Sequence, residues 1–220
     1  MKAWRDALIV LLSGGLALAL GWAMLTLPEQ MVRLPQQVAA NLDTSGVAHP
    51  VTAVLLNFRG YDTLLEVAVL LLALLGVFAL SRHADEPAPR ATPAHPVLQT
   101  LARLLAPLMV LVAGYLLWIG AHAPGGAFQA GAVLAAAGVL LRLAGLLPSW
   151  ASPNRLLRGG LALGLLVFLA VAVAGLPQGS LLHYPVSLAG ALILLVEAGL
   201  TLSIGLTLAG LYLASAGVKR

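Results

Sequence analysis

The chain has 220 residues, of which 60% are hydrophobic and only 9% charged, and its mean hydropathy is +0.98. A soluble domain carries about a quarter charged residues. These side chains cannot wet a globular surface, so lipid is expected to be the main solvent. Cysteine is absent, which excludes disulfides, thiolate metal sites and iron–sulfur ligation by this chain.

Six apolar stretches, at about 7–27, 61–80, 101–121, 127–147, 157–176 and 186–214, approach or exceed the ~20 helical residues needed to cross a bilayer core. The expected fold is therefore all-α, a polytopic membrane protein with about six transmembrane helices. The first stretch follows Lys2 and Arg5, as in a signal peptide. Its apolar run exceeds the about 7–15 residues of a cleaved signal, and a retained helix is expected. The last stretch is long enough to tilt or to extend beyond the lipid. Residues 28–50 read as a solvated outer loop. The run 51–58, VTAVLLNF, is too short to span and reads as an interfacial helix or a broken extension of the second span. Residues 81–97 hold four prolines among several charges, which suits a cytoplasmic linker. It divides a two-helix module, 1–80, from a four-helix module, 98–220.

The isoelectric point near 10.0 would suit nucleic acid, but the Lys and Arg lie scattered at the ends of apolar runs. With the N-terminus inside, ten are cytoplasmic: Lys2, Arg5, Arg82, Arg90, Arg103, Arg142, Arg155, Arg158, Lys219 and Arg220. Only Arg33 and Arg59 are outside. This bias predicts cytoplasmic N- and C-termini, with loops 28–50, 122–126 and 177–185 outside.

Two of the acidic residues fall within spans, Glu66 and Glu197. A charged acid facing lipid at the midplane costs about 2.5–3.5 kcal/mol or more, so Glu197 must face the bundle interior. There it serves either an ion path or as polar glue between helices. Asp62 and Glu66 are four apart and share a helix face, with Arg59 and Thr63 beside them in LLNFRGYDTLLE. Two acids, a base and a hydroxyl suit a relay for protons or a hydrated cation. For Arg59 an interfacial ion pair with Asp62 is the competing reading. Gly60 supplies a break before the span. Pro124-Gly125-Gly126 marks a turn. Beyond it Ala127, Gly131 and Ala135 recur every fourth residue, a stripe that lets another helix approach closely. Gln129 adds an amide there. His122, at the membrane edge, is either a proton-passing group or simply an interfacial side chain.

Taken together, these strings resemble a known family. LLNFRGYDTLLE resembles the Asp-(Tyr/Phe)-Arg-Gly-(Tyr/Phe)-Asp-Thr-x-x-Glu segment near the C-terminal end of the large A-type component of Mrp-type multisubunit sodium/proton antiporters. The segment also occurs in the small E-type component of energy-converting membrane hydrogenases. GAHAPGGAFQAG resembles the His-x-x-Pro-Gly-Gly-Gly-Phe-x-Gly-Gly signature of the antiporters' B-type (MnhB/MrpB-like) component, and LLVEAGLTLSIG its final helix. Asn57 stands where the family usually has Asp, and Ala127 and Ala130 replace family glycines. The resemblance covers nearly the whole chain, with 1–80 like the E-type module and 98–214 like the B-type component.

It implies a membrane subunit of a cation/proton antiporter or a related complex, in the cell membrane, with other membrane subunits, protons, sodium and lipid as partners. It implies no cofactor of the chain's own. It carries Asp62, Glu66, His122 and Glu197 over as ion-path candidates. A purely structural role, in which the chain bridges larger subunits, is the alternative. A membrane enzyme is disfavoured, because the five His, at 49, 83, 95, 122 and 183, show no metal-binding pairing along a helix.

Overall fold

A computed structural model describes residues 2–26, 33–81, 95–147 and 154–215. Most of the expected linker, part of the first outer loop, and the inner-side cations Arg82, Arg90, Lys219 and Arg220 lie outside the described residues.

The chain divides into two compact units, Met1–Gln37 and Val38–Arg220. In the first, α1 (Lys2–Leu25) carries exposed apolar side chains, such as Val10, Leu12 and Leu18, along its length. Its last turn closes where the Thr26 hydroxyl donates to the Trp22 carbonyl at 2.9 Å. The division between the units falls within α2 (Leu34–Asn41).

The second unit continues with a 3-10 turn, Leu42–Thr44, and then α3 (Pro50–Ala53), which runs into a π turn, Val54–Phe58. Then come α4 (Gly60–Ser81), α5 (Pro96–Ile119), α6 (Ala127–Leu143), α7 (Arg155–Ala174), a 3-10 turn (Leu176–Gln178) and α8 (Ala189–Ser215). The starts are written in the sequence. Pro96 opens α5 at a position where a missing N–H costs nothing. The Asn154 side chain accepts the Leu157 N–H at 2.8 Å and caps α7.

Among the described residues five helices are long and apolar enough to cross a membrane: α1, α4, α5, α7 and α8. The fourth expected span, 127–147, is shorter than read from the sequence. It ends at Leu143, and its 17 residues rise about 25 Å, less than a hydrocarbon core of about 30 Å. The cause is local. Gly145 turns the chain with φ 71, and the Arg142 guanidinium donates to the Leu147 carbonyl at 3.1 Å, closing that end.

Helix α8 is apolar on every face, and 56% of its spanning stretch is buried. That is the pattern of a central helix, and α6, α7 and α4 all pack on it. Small residues set the distances, because lipid offers no hydrophobic drive between helices and close packing must supply it. A Cβ at Gly131 would sit 2.9 Å from an Ile204 methyl, and one at Gly164 would sit 2.7 Å from the Ser203 Cβ. The Ser203 hydroxyl donates across to the Leu161 carbonyl at 2.6 Å, tying α8 to α7. At the loop before α8, the Tyr184 hydroxyl is buried without a hydrogen-bond partner among the described residues. Burial pushes it up to about 12, so it stays protonated.

Candidate ion site between the broken helix, α4, α6 and α8

The segment before α4 is a helix that breaks. The Arg59 N–H reaches back five residues to the Val54 carbonyl at 2.8 Å, the register of a π turn. That widening displaces the Leu55 carbonyl from ordinary helical pairing, and the buried Thr63 hydroxyl donates to it at 2.6 Å. Two further side chains fasten the segment. The Thr52 hydroxyl donates to the Gly120 carbonyl at the end of α5 at 2.5 Å, and the Asn57 amide donates to the Ser45 carbonyl at 2.9 Å. The second bond gives a physical reason for Asn57, because a carboxylate has no proton to give a carbonyl. The backbone N–H groups of Ala48 and His49 both donate to the Ala121 carbonyl, at 2.9 and 3.0 Å. A stretch that reads as merely apolar is thus docked on the turn after α5.

Beneath it lies a cavity of about 260 Å³, with Thr52, Thr63, Glu66, Gly126, Gln129 and Glu197 among its lining residues. Glu197 enters from α8, is 3% exposed, and forms a hydrogen bond with the backbone N–H of Ala127. It therefore satisfies one of the donors that the start of α6 leaves without an intrahelical partner. Its Oε2 is buried and has no hydrogen-bond partner among the described residues. Gly126 makes this approach possible. Its φ of 101 belongs to the region that favours glycine, and a Cβ there would lie 2.7 Å from Glu197 Oε1.

The residues picked out in the sequence are distributed as follows. Glu66, Thr63, Glu197, Gly126 and Ala127 all line the cavity. Glu66 is exposed. Thr63 faces inward, but its proton is committed to Leu55. Arg59 and Asp62 form an ion pair at the N-terminal end of α4, with side chains 69% and 46% exposed, and are not among the lining residues. His122 belongs to a separate, more open pocket of about 570 Å³ that also holds Trp118 and Asp43, and no residue is shared between the two linings. Gly131 and Ala135 are buried along α6, below the cavity. Sequence reasoning missed Thr52. The one signal was a lone hydroxyl in an apolar run.

Chemically, the cavity brings together two carboxyl groups, an amide and two hydroxyls, with one carboxylate oxygen without a partner among the described residues. Oxygen ligands of this kind suit protons, water or a hard monovalent cation. Among the described residues no group of three His, Cys, Asp or Glu is arranged to hold a metal ion.

The chain is similar to a chain in the membrane-bound sulfane sulfur reductase, an archaeal respiratory membrane complex. The two are 28% identical over 100% of each, with a TM-score of 0.72. It is also similar to part of a chain in the Mrp complex from Dietzia sp. DQ12-45-1b. There the identity is 25% over 100% of this chain and 26% of that one, with a TM-score of 0.67. No curated protein matches it. The family model MbhE, which describes a component of MBH, matches residues 1–96. A second, described as a domain related to the MnhB subunit of Na+/H+ antiporter, matches residues 97–214, more than half the chain. The chain belongs to that MnhB-related family.

Proposed function

We propose that the cavity between the broken helix, α4, α6 and α8 forms part of a path for protons or sodium across the membrane. The chain is a membrane subunit of a Mrp-type antiporter or a related complex. It works with other membrane subunits in the cell membrane, with both termini cytoplasmic, and itself carries out no chemical reaction. Residues 1–80 act as the E-type module and 98–220 as the B-type module, joined by the linker at 81–97. The observation that carries the path reading is the unengaged Oε2 of Glu197, buried in a cavity that Glu66 also lines. An acid kept inside a spanning helix is costly unless it is used or paired.

A second reading has its own support. The bond between Glu197 and the Ala127 N–H also ties α8 to α6, as a purely structural role would need. Glu66 separates the two, because among the described residues it makes no such tie. Glu66→Gln keeps shape and hydrogen bonds but cannot titrate. It is expected to leave the complex assembled and to reduce cation-coupled proton movement in everted vesicles by about 10²-fold or more. Glu66→Asp should retain part of the activity. Full activity in the Gln variant, with subunit content unchanged on native gels, would leave the packing reading standing.

A further inference from the structure

The cavity has a hydrogen-bonded connection to the start of α3 that runs through His49. His49 is half-buried at the start of α3, and its Nδ1 lies 3.4 Å from the Thr52 hydroxyl oxygen. Thr52 is 5% exposed and lines the cavity. Its own proton is donated to Gly120, so its oxygen is left to accept from the imidazole. The backbone fixes the pair in place, through the His49 N–H on Ala121 and the α3 turn between the two residues. The titratable side chains on the neighbouring elements are Asp43, on the 3-10 turn before His49, and His122, on the turn after α5. Both line the other pocket and not this cavity.

We propose that His49 and Thr52 are the outward proton connection of this cavity. The proposal rests on the reading of the cavity as part of the ion path and of loop 28–50 as outside. An imidazole takes a proton on one ring nitrogen while releasing one from the other, so it carries protons without moving. His49 accepts a proton at Nε2 from outer water and releases the one on Nδ1 to Thr52 Oγ1. Thr52 turns its hydroxyl from the Gly120 carbonyl to the cavity and gives its original proton to water there, from which it reaches a carboxylate of Glu66 or Glu197; the proton received from His49 then re-forms the bond to Gly120. His49 is left neutral, with its proton on Nε2. A ring turn or a second exchange with water restores the starting tautomer. For each proton taken from outside, one arrives in the cavity, and the same steps reversed carry protons out.

The test uses the intact complex in right-side-out vesicles, with subunit content checked on native gels. His49→Ala is expected to slow proton movement about tenfold or more. Imidazole added outside should restore it in proportion to concentration, and substituted imidazoles should do so in the order of their basicity. Thr52→Ser should remain active. Thr52→Val should be slow and should not respond to imidazole, because the acceptor is gone. Full activity in His49→Ala would overturn the proposal. So would a His49→Gln variant as active as the natural chain, since glutamine can replace the hydrogen bond but cannot relay the proton. If Glu66→Gln and Glu197→Gln are inactive while His49→Ala is fully active, only this connection fails. If all three are active, the cavity reading fails with it.

Discussion

Glu197→Gln is expected to leave the complex assembled and to remove most cation-coupled proton movement, whereas Glu197→Leu is expected to lose both. The two variants separate the two duties of one side chain. Toward α6 it pairs with the Ala127 N–H, and toward the cavity it presents an unpaired Oε2. Glutamine keeps a carbonyl for the Ala127 N–H but has no titratable oxygen. Loss of a positioned acid–base group costs proton transfer about 10²–10⁴-fold. Leucine also strands a buried backbone donor, at about 1–3 kcal/mol. That is enough to loosen α6 from α8, the helix on which the second unit is built. Everted-vesicle transport and native gels read the two effects independently. A Gln variant that transports normally would assign Glu197 to packing alone.

Gly126→Ala is expected to reduce transport more than it reduces the amount of assembled complex. Two costs coincide at this residue. A φ of 101 is strained for any side chain, at about 1–3 kcal/mol. The added methyl would also lie 2.7 Å from Glu197 Oε1, so the carboxyl group has to move. Gly14, where a Cβ would meet nothing within 4 Å, is the control and should accept alanine without effect. Equal tolerance of alanine at Gly126 and Gly14 would mean that the tight approach of α6 to Glu197 has no consequence.

Much of this was legible in the sequence because lipid leaves a chain few choices. Backbone groups in hydrocarbon must be satisfied within a helix, so apolar length and proline placement located the helices closely. The end of α6 was read four residues too far, because Ala144 and Gly145 continue the apolar run while turning the chain. The small stripe Ala127, Gly131 and Ala135 announced close packing, but not which helix it meets; the clash of a Cβ with Ile204 identifies α8. Side-chain direction was the larger gap. Helical spacing put Asp62, Thr63 and Glu66 near one face. It left open whether Arg59 joins a relay or pairs with Asp62, and the structure has the ion pair at the exposed end; it did not reveal that Thr63 is committed to the carbonyl displaced by a π turn. A π turn has no strong signature in composition, since it depends on how residues 45–58 dock on the end of α5. That Glu66 and Glu197 line one cavity could not be read at all. The cavity joins residues far apart in the chain, on α4 and α8, which pack against each other.

The absence of cysteine allows a direct test of the claim that this cavity carries ions. Gln129 lines the cavity and is exposed enough to be reached, so Gln129→Cys gives this chain a single thiol there. A small cationic thiol reagent would be applied to the complex in vesicles, with the natural complex and Trp118→Cys, in the other pocket, treated in parallel. The predicted result is that modification at residue 129 blocks cation-coupled proton movement and that sodium slows the modification, while both controls keep transporting. Complete modification at residue 129 with transport unchanged would contradict a path through this cavity.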